Sequence, residues 1–207
     1  MHRKPLLDLL DRYRLLRPAE AEMVARMRDL VSARRDCFER TCQPGHVTAS
    51  CWILSHDRRH FLLTHHRKLR RWLQLGGHAD GDADVLRVAL REAREESGMH
   101  DFALIDPAGG TTGDLHACLP IDVDVHGIPA RPGEPAHDHH DVRFVLVAGP
   151  AQSLVISDES SDLAWFGLDE LASLDADESL RRLARKAIAL RHSPARPLPA
   201  EPSRVAD

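Results

Sequence analysis

The sequence predicts an α/β protein in which strands surround one central amphipathic helix. Apolar residues recur at helical spacing between residues 85 and 97, which predicts that helix. Strand-like runs lie on both sides of it, at 48–54, 61–64, 119–125, 142–147 and 163–166. The pattern of residues 5–39 predicts two further amphipathic helices, with a break between them near Arg17 and Pro18. With 207 residues and 43% hydrophobic content, the chain can form one well-buried domain with a helical extension.

The central helix carries an unusual cluster of negative charge. Glu92, Glu95 and Glu96 stand at positions i, i+3 and i+4, so their side chains share one face and repel each other. A hard divalent cation such as Mg²⁺ needs several oxygen ligands and converts this repulsion into coordination. Arg91 lies four residues before Glu95 and can pair with it, and Gly98 is suited to end the helix in the left-handed conformation. The alternative is an ordinary solvated helix face.

The spacing of these residues resembles the Nudix box, G-x5-E-x7-R-E-U-x-E-E-x-G-U, where U is a bulky aliphatic residue. Seven of the nine specified positions match directly: Gly77, Arg91, Glu92, Glu95, Glu96, Gly98 and Met99. Ala93 is a weak match at an aliphatic position, and Ala83 stands where the family has glutamate. The resemblance extends over residues 47–174, because Trp165 and Phe166 also look like the end of many Nudix domains.

This resemblance implies an α/β/α sandwich with a mixed sheet. It also implies a hydrolase that cleaves the pyrophosphate of a nucleoside diphosphate linked to another group, as in a nucleoside triphosphate, ADP-ribose or a nucleotide sugar. Carried over by position, Glu92, Glu95, Glu96 and the carbonyl of Gly77 become the ligands of Mg²⁺, or of Mn²⁺. Arg91 becomes the ion-pair partner that orients the helix.

The alanine at position 83 is expected to weaken or rearrange metal binding, with Asp82 and Asp84 as substitutes. Either aspartate could instead be the N-cap of the helix. A second reading is a degenerate Nudix domain that binds nucleotide as a sensor or interaction module without cleavage. Retention of all three glutamates favours the enzyme.

A general base can come from a box glutamate or from an acidic residue of another loop. The candidates outside the box are Glu134, Asp138, Asp141, Asp158, Glu159 and Asp162.

The histidine-rich run before Val142 could suggest zinc. Because side chains alternate along a strand, His137 and His139 share one face and His140 faces away, which leaves an incomplete site. An alternative is that this strand end lines the substrate pocket with Arg143 available for a phosphate; a solvated loop is equally open.

Basic residues upstream of the box, including Arg67 and Lys68, could contact the phosphates of a nucleotide, or form a plain surface hairpin turn. Nucleic-acid binding is not expected. The 28 basic and 32 acidic residues give a net charge of −4, and the sequence pI is 6.4.

The expected organisation is an N-terminal helical extension at 1–45, a Nudix domain at 46–192 and a disordered tail at 193–207, with a long loop at 126–136. The N-terminal helices are expected to pack on the core; covering the pocket or forming a homodimer are alternatives. No signal peptide or membrane-spanning run is apparent, so the cytoplasm is the expected location. The four cysteines receive no role.

Overall fold

The computed structural model describes residues 2–110, 115–157 and 160–199. In these residues one mixed sheet of nine strands is covered by four α-helices. The helices are α1 (Lys4–Leu16), α2 (Ala21–Ala33), α3 (Val85–Ser97) and α4 (Glu178–Ala189). The strands are β1 (Gly45–Leu54), β2 (His60–His66), β3 (Arg71–Leu73), β4 (Leu75–His78), β5 (Phe102–Ile105), β6 (Asp122–Ile128), β7 (His137–Ala148), β8 (Ser160–Gly167) and β9 (Ala195–Pro197). Short 3₁₀ helices span Pro18–Glu20, Leu115–Ala117 and Glu170–Ser173.

The centre of the sheet is the parallel pair of β1 and β7, which runs over ten residue pairs from Gly45–Asp138 to Leu54–Val147. Every residue of β1 is buried. On its other edge, β1 pairs first with β4 and then with β2, both antiparallel. The short, glycine-containing β4 is therefore held directly against a fully buried strand.

Helices cover both faces of the sheet, as an α/β/α sandwich requires. Alternate residues of β1 point to opposite faces. Val47 and Ala49 join the apolar core under α1, α2 and α3, whereas Trp52 and Leu54 join a second core under α4. The mixed α/β fold is therefore confirmed. The apolar faces of α1 and α2 contribute residues such as Leu10 and Met27 to the first core.

Some elements differ from the sequence-based expectation. The second helix ends at Ala33, although the pattern predicted helix up to residue 39. The strands β3, β4, β5 and β9 were not predicted, because they are only three or four residues long and carry little periodicity. The four cysteines are all reduced and buried.

The predicted disordered tail is corrected for residues 193–199. Within that segment β9 pairs antiparallel with β5, and Leu198 is 7% exposed in the first core. Arg94 of α3 donates a hydrogen bond to the carbonyl of Pro199 at 2.9 Å. Residues 200–207 lie outside the described part of the chain. No helix among the described residues is long and apolar enough to cross a membrane.

Arg143 is the centre of a buried charge network between the sheet and α4. It is 2% exposed, and each of its three guanidinium nitrogens donates to a neighbouring side chain. The acceptors are Asp141 at 2.8 Å, Asp122 at 3.1 Å, Asp124 at 2.9 Å and Ser179 at 2.8 Å. This corrects the expectation that Arg143 contacts a substrate phosphate. Arg143 lies on the face of β7 that α4 covers, where it reaches Ser179 of that helix.

Replacing Arg143 with methionine is predicted to destabilise the fold strongly. The substitution leaves buried carboxylates without their central cation, and breaking such a network costs about 3–5 kcal/mol. Chemical denaturation would measure the free energy of unfolding. Arg185→Met is the matched control, because the Arg185–Glu178 ion pair on α4 is 60% and 72% exposed, and such pairs are worth about 0–1 kcal/mol. Equal losses of unfolding free energy in Arg143→Met and Arg185→Met would contradict the central role of Arg143 in the buried network.

The same network predicts a dependence of stability on pH. Burial alone would raise the pKa of Asp122, but hydrogen bonding from Arg182 and the charges of Arg143 and Lys186 hold it below its ordinary value. A lowered folded-state pKa stabilises the protein fully above the unfolded-state pKa of about 3.9, and this contribution is lost as the pH falls further.

The free energy of unfolding, measured by denaturant titration between pH 5 and pH 3, should therefore fall less steeply for Asp122→Asn than for the wild type. One fewer proton is taken up on unfolding, which is worth up to about 1.4 kcal/mol per pH unit. Parallel curves for the two proteins would refute this role of Asp122.

Candidate functional site

The candidate site is formed by β4 and α3, which a short acidic turn connects. The Asp84 side chain accepts a hydrogen bond from the amide of Arg87 at 3.1 Å and caps the start of α3. Gly98 ends the helix with φ at 71°, in the left-handed region that glycine occupies without strain. The predicted bounds of this helix are therefore confirmed, and Asp84 is the N-cap.

Glu96 connects α3 to the first glycine of β4. Its carboxylate is buried and accepts a hydrogen bond from the amide of Gly76 at 2.8 Å. Gly76 pairs with Ser50 of β1, and a Cβ at Gly76 would lie 2.6 Å from the Cα of Ser50. Only glycine fits at this point, so the close approach of β4 to β1 brings the amide within reach of Glu96.

Glu92 packs against the second glycine of the strand. A Cβ at Gly77 would lie 2.6 Å from the Glu92 carboxylate, and the Glu92 side chain is 13% exposed. The carboxylates of Glu92 and Glu96 therefore converge on two consecutive glycines of β4. Burial, followed by the charges of Glu96 and Glu92, raises the pKa of Cys51 well above its ordinary value, which keeps this thiol protonated.

Arg91 ties the helix to the end of β4. Its guanidinium donates to the carbonyl oxygen of His78 at 2.8 Å and pairs with Glu92 at 2.8 Å and Glu95 at 3.3 Å. The pair with Glu95 is the one that the helical spacing predicted. Glu95 is the most exposed of the three glutamates, with 60% of its side chain accessible.

Ala83 packs against the first core and lines a cavity of about 380 Å³. The lining is apolar on the side of α1, from Leu6 and Leu9, and charged on the side of the acidic turn, from Asp82, Asp84 and Arg87. Asp82 accepts two hydrogen bonds from Arg87, at 2.6 and 2.5 Å, so both neighbouring aspartates already have local roles.

The basic residues upstream lie in the turn that joins β2 and β3. Arg67 and Lys68 are exposed, and Arg67 donates to the carbonyl of Ser160 in β8 at 3.1 Å. The turn connects a β-hairpin, which was the alternative interpretation, and its cations Arg67, Lys68 and Arg70 are accessible to solvent.

The candidate general bases outside the box have different environments. Asp141 is buried and accepts hydrogen bonds from Thr48 and Ser50 as well as Arg143, so it belongs to the interior network. Asp162 is exposed on β8. Asp138 lies 3.5 Å from Arg26, and Glu134 lies 3.6 Å from His137. Asp158 and Glu159 lie outside the described residues.

The histidine-rich run is the start of β7, and His137 and His139 do share one face. From the sequence, His137 and His139 alone formed an incomplete metal site. The structure adds two histidines from other strands. His46 of β1 and His78 of β4 lie beside them, with the ring centroids of His46 and His139 4.9 Å apart. Burial, followed by the charge of the neighbouring His78, lowers the pKa of His46 to about 4. Only the pairing of the strands could have revealed these residues.

The fold of this chain recurs in known proteins. A family model described as the NUDIX domain matches residues 44–187. A crystal structure of a NUDIX-family hydrolase from Clostridium perfringens is 24% identical, covers 70% of this chain and 97% of its own, and gives a TM-score of 0.56. The E. coli dihydroneopterin triphosphate pyrophosphohydrolase is 17% identical, with coverage of 69% and 94% and a TM-score of 0.51.

None of the curated proteins matches the chain significantly. The two structures support the fold, and the family match spans more than half of the sequence, including all of β4 and α3. The chain therefore belongs to the Nudix hydrolase family.

Proposed function

We propose that the protein is a divalent-metal-dependent pyrophosphohydrolase whose substrate is a nucleoside diphosphate linked to another moiety. The observation that carries this proposal is the convergence of Glu92 and Glu96 on Gly77 and Gly76. Both carboxylates are largely buried, and a hard divalent cation would convert the repulsion between neighbouring carboxylates into coordination.

The residues present fit Mg²⁺ or Mn²⁺ as the cofactor. Carboxylate and backbone carbonyl oxygens are the ligands that these hard cations prefer. The missing side chain of Gly77 leaves the space beside the Glu92 carboxylate open, which a Cβ would fill. We propose Glu92, Glu95, Glu96 and the carbonyl of Gly77 as the ligands.

A bound divalent cation would neutralise the phosphate oxygens and favour the attack of water on phosphorus. The chain's own residues supply positioning and proton transfer. Arg91 of α3 donates a hydrogen bond to the carbonyl of His78 at the end of β4. This contact helps to fix the distance between the glutamates of α3 and the strand. Glu95 is the box carboxylate with the best access to solvent, and we propose it as the acceptor of the proton from water.

Arg67 and Lys68 are the proposed contacts for the substrate phosphates, because both are exposed cations in a turn. Arg143 is left out of this set because it is buried. The proposed substrates are a nucleoside triphosphate, ADP-ribose or a nucleotide sugar. A cytoplasmic location, a homodimer and the lack of nucleic-acid binding stay predictions from the sequence.

The substrate class can be tested by measuring phosphate products from nucleoside triphosphates, ADP-ribose, nucleotide sugars and dinucleoside polyphosphates, with Mg²⁺ or Mn²⁺ and with chelator. We expect metal-dependent cleavage of at least one compound. Glu96→Gln should lower turnover about 10²-fold or more, because the amide keeps an oxygen for the Gly76 amide but loses the charge.

The matched control is Glu178→Gln, which removes an exposed carboxylate at the start of α4 and should leave turnover unchanged. Near wild-type rates in Glu96→Gln would remove the site assignment. Nucleotide binding without cleavage across the panel would support the sensor reading instead.

The two glycines of β4 are predicted to respond differently to alanine. Gly76→Ala places a methyl group against the backbone of β1 and should lower the free energy of unfolding by about 1–3 kcal/mol. Gly77→Ala meets only the end of the Glu92 side chain, which can move, so the fold should persist while Mn²⁺ affinity falls. Denaturation and Mn²⁺ titration by electron paramagnetic resonance would measure the two effects. Unchanged Mn²⁺ affinity in Gly77→Ala would argue against a metal site beside Glu92.

A further inference from the structure

The pairing of the strands gathers histidines from four neighbouring strands on one face of the sheet. His46 of β1 pairs with His139 of β7, and His139 pairs with His126 of β6. His78 of β4 pairs with Thr48, two residues beyond His46 on the same face of β1. His137 lies two residues before His139. We call these residues the histidine cluster: His46, His78, His126, His137 and His139.

Three members of the cluster approach each other closely enough to share one ion. Nitrogen atoms of His46, His78 and His139 all lie within 4.8 Å of one another. A tetrahedral zinc site with bonds of about 2.1 Å needs separations of about 3.4 Å between its nitrogens. The three rings would therefore have to move inward by about 1 Å, which side-chain rotation can provide at the end of a strand.

His46 points to a missing ligand. It is 1% exposed, and among the described residues neither of its ring nitrogens makes a hydrogen bond of good geometry, with the backbone of Cys42 as a polar neighbour. A buried polar group normally finds a partner, since leaving it unpaired costs about 1–3 kcal/mol. An ion between the three rings would satisfy one nitrogen of His46.

His137 lies beside this group through His139, although its nitrogens are not within 4.8 Å of all three other histidines. Its Nδ1 lies 2.9 Å from the carbonyl oxygen of Pro135, which requires the proton on Nδ1 and leaves a lone pair on Nε2. That Nε2 lies 3.3 Å from Nε2 of His139, which is about the spacing of two ligands on one zinc ion. Hydrogen bonding of the second ring nitrogen to a carbonyl is also the usual way in which a zinc-binding histidine is held.

The charges around the cluster favour a cation over a phosphate. A phosphate would be bound best by protonated imidazoles. Several neighbouring imidazoles that are buried together do not all become positively charged, because burial and mutual repulsion both disfavour the charged form. Asp124 pairs with His126 at 3.0 Å, and Glu134 lies 3.6 Å from His137. The nearby cation, Arg40, is already paired with Asp80 at 2.7 Å.

We propose that His46, His78 and His139, with His137 as the fourth ligand, bind one Zn²⁺ ion. Imidazole nitrogens suit zinc, whereas the oxygens of the Nudix box suit Mg²⁺ or Mn²⁺, so the two sites would select different metals. The zinc site would join β1, β4 and β7, and His78 directly follows the box residue Gly77. Its role would be to hold the end of β4, and it does not depend on the hydrolase activity.

The test uses the full chain, stripped of metal with chelator and titrated with Zn²⁺ in competition with a coloured chelator. We expect one equivalent bound tightly, and a higher melting temperature with Zn²⁺ that Mg²⁺ does not reproduce. His139→Gln and His78→Gln should each weaken zinc binding at least about 100-fold, since even outer contacts of such sites are worth 10- to 100-fold.

Two controls keep the result specific. His140→Gln removes the adjacent buried histidine that faces the other side of β7, and Glu96→Gln removes a box carboxylate; both should keep the bound zinc. X-ray absorption of the wild type loaded with zinc should show imidazole nitrogens as the ligands, and this measurement does not require any variant to fold.

The zinc titration, the absorption spectrum and the control variant each have a result that would overturn the proposal. These results are the absence of tight zinc binding, a carboxylate signature in the absorption spectrum, and loss of zinc in Glu96→Gln. Binding of pyrophosphate to the metal-free protein that depends on His78 and His139 would assign the cluster to an anion instead, and would equally reject the zinc site.

Discussion

The close approach of β4 to β1 is the constraint on which the rest of the site depends. Gly76 has no space for a side chain, so the backbone of β4 lies against Ser50 and its amide faces α3. The hydrogen bond from that amide to Glu96 then fixes the distance between strand and helix. Glu92 and Arg91 are placed by the same contact, because they lie only four and five residues before Glu96 on the same helix.

The interior of the sheet is unusually polar beneath α4. Arg143 is surrounded by the carboxylates of Asp122, Asp124 and Asp141, and Arg182 of α4 donates to Asp122 and Asp124. Such a network contributes less to stability than an apolar core of the same volume, but it penalises any arrangement in which one member is missing. It therefore ties the orientation of α4 to the register of β6 and β7.

The sequence predicted features that depend on local spacing and missed those that depend on pairing. The helix at 85–97, its stop at Gly98 and the Arg91–Glu95 pair follow from a period of 3.6 residues, and the structure has all three. The surroundings of Arg143 could not be predicted, because Ser179 reaches it from 36 residues away. His46 and His139 are 93 residues apart and meet only through the parallel pairing of their strands.

The C-terminal strand β9 has a consequence for the smallest stable form of the protein. The family match ends at residue 187, yet β9 covers the edge of β5 and Pro199 accepts a hydrogen bond from Arg94 in the box helix. A chain cut at the family boundary would leave β5 with unpaired backbone amides and carbonyls at the rim of the sheet. An uncovered edge of this kind is a template for pairing with another molecule. By covering the edge of β5, β9 therefore also lowers the tendency of the protein to aggregate.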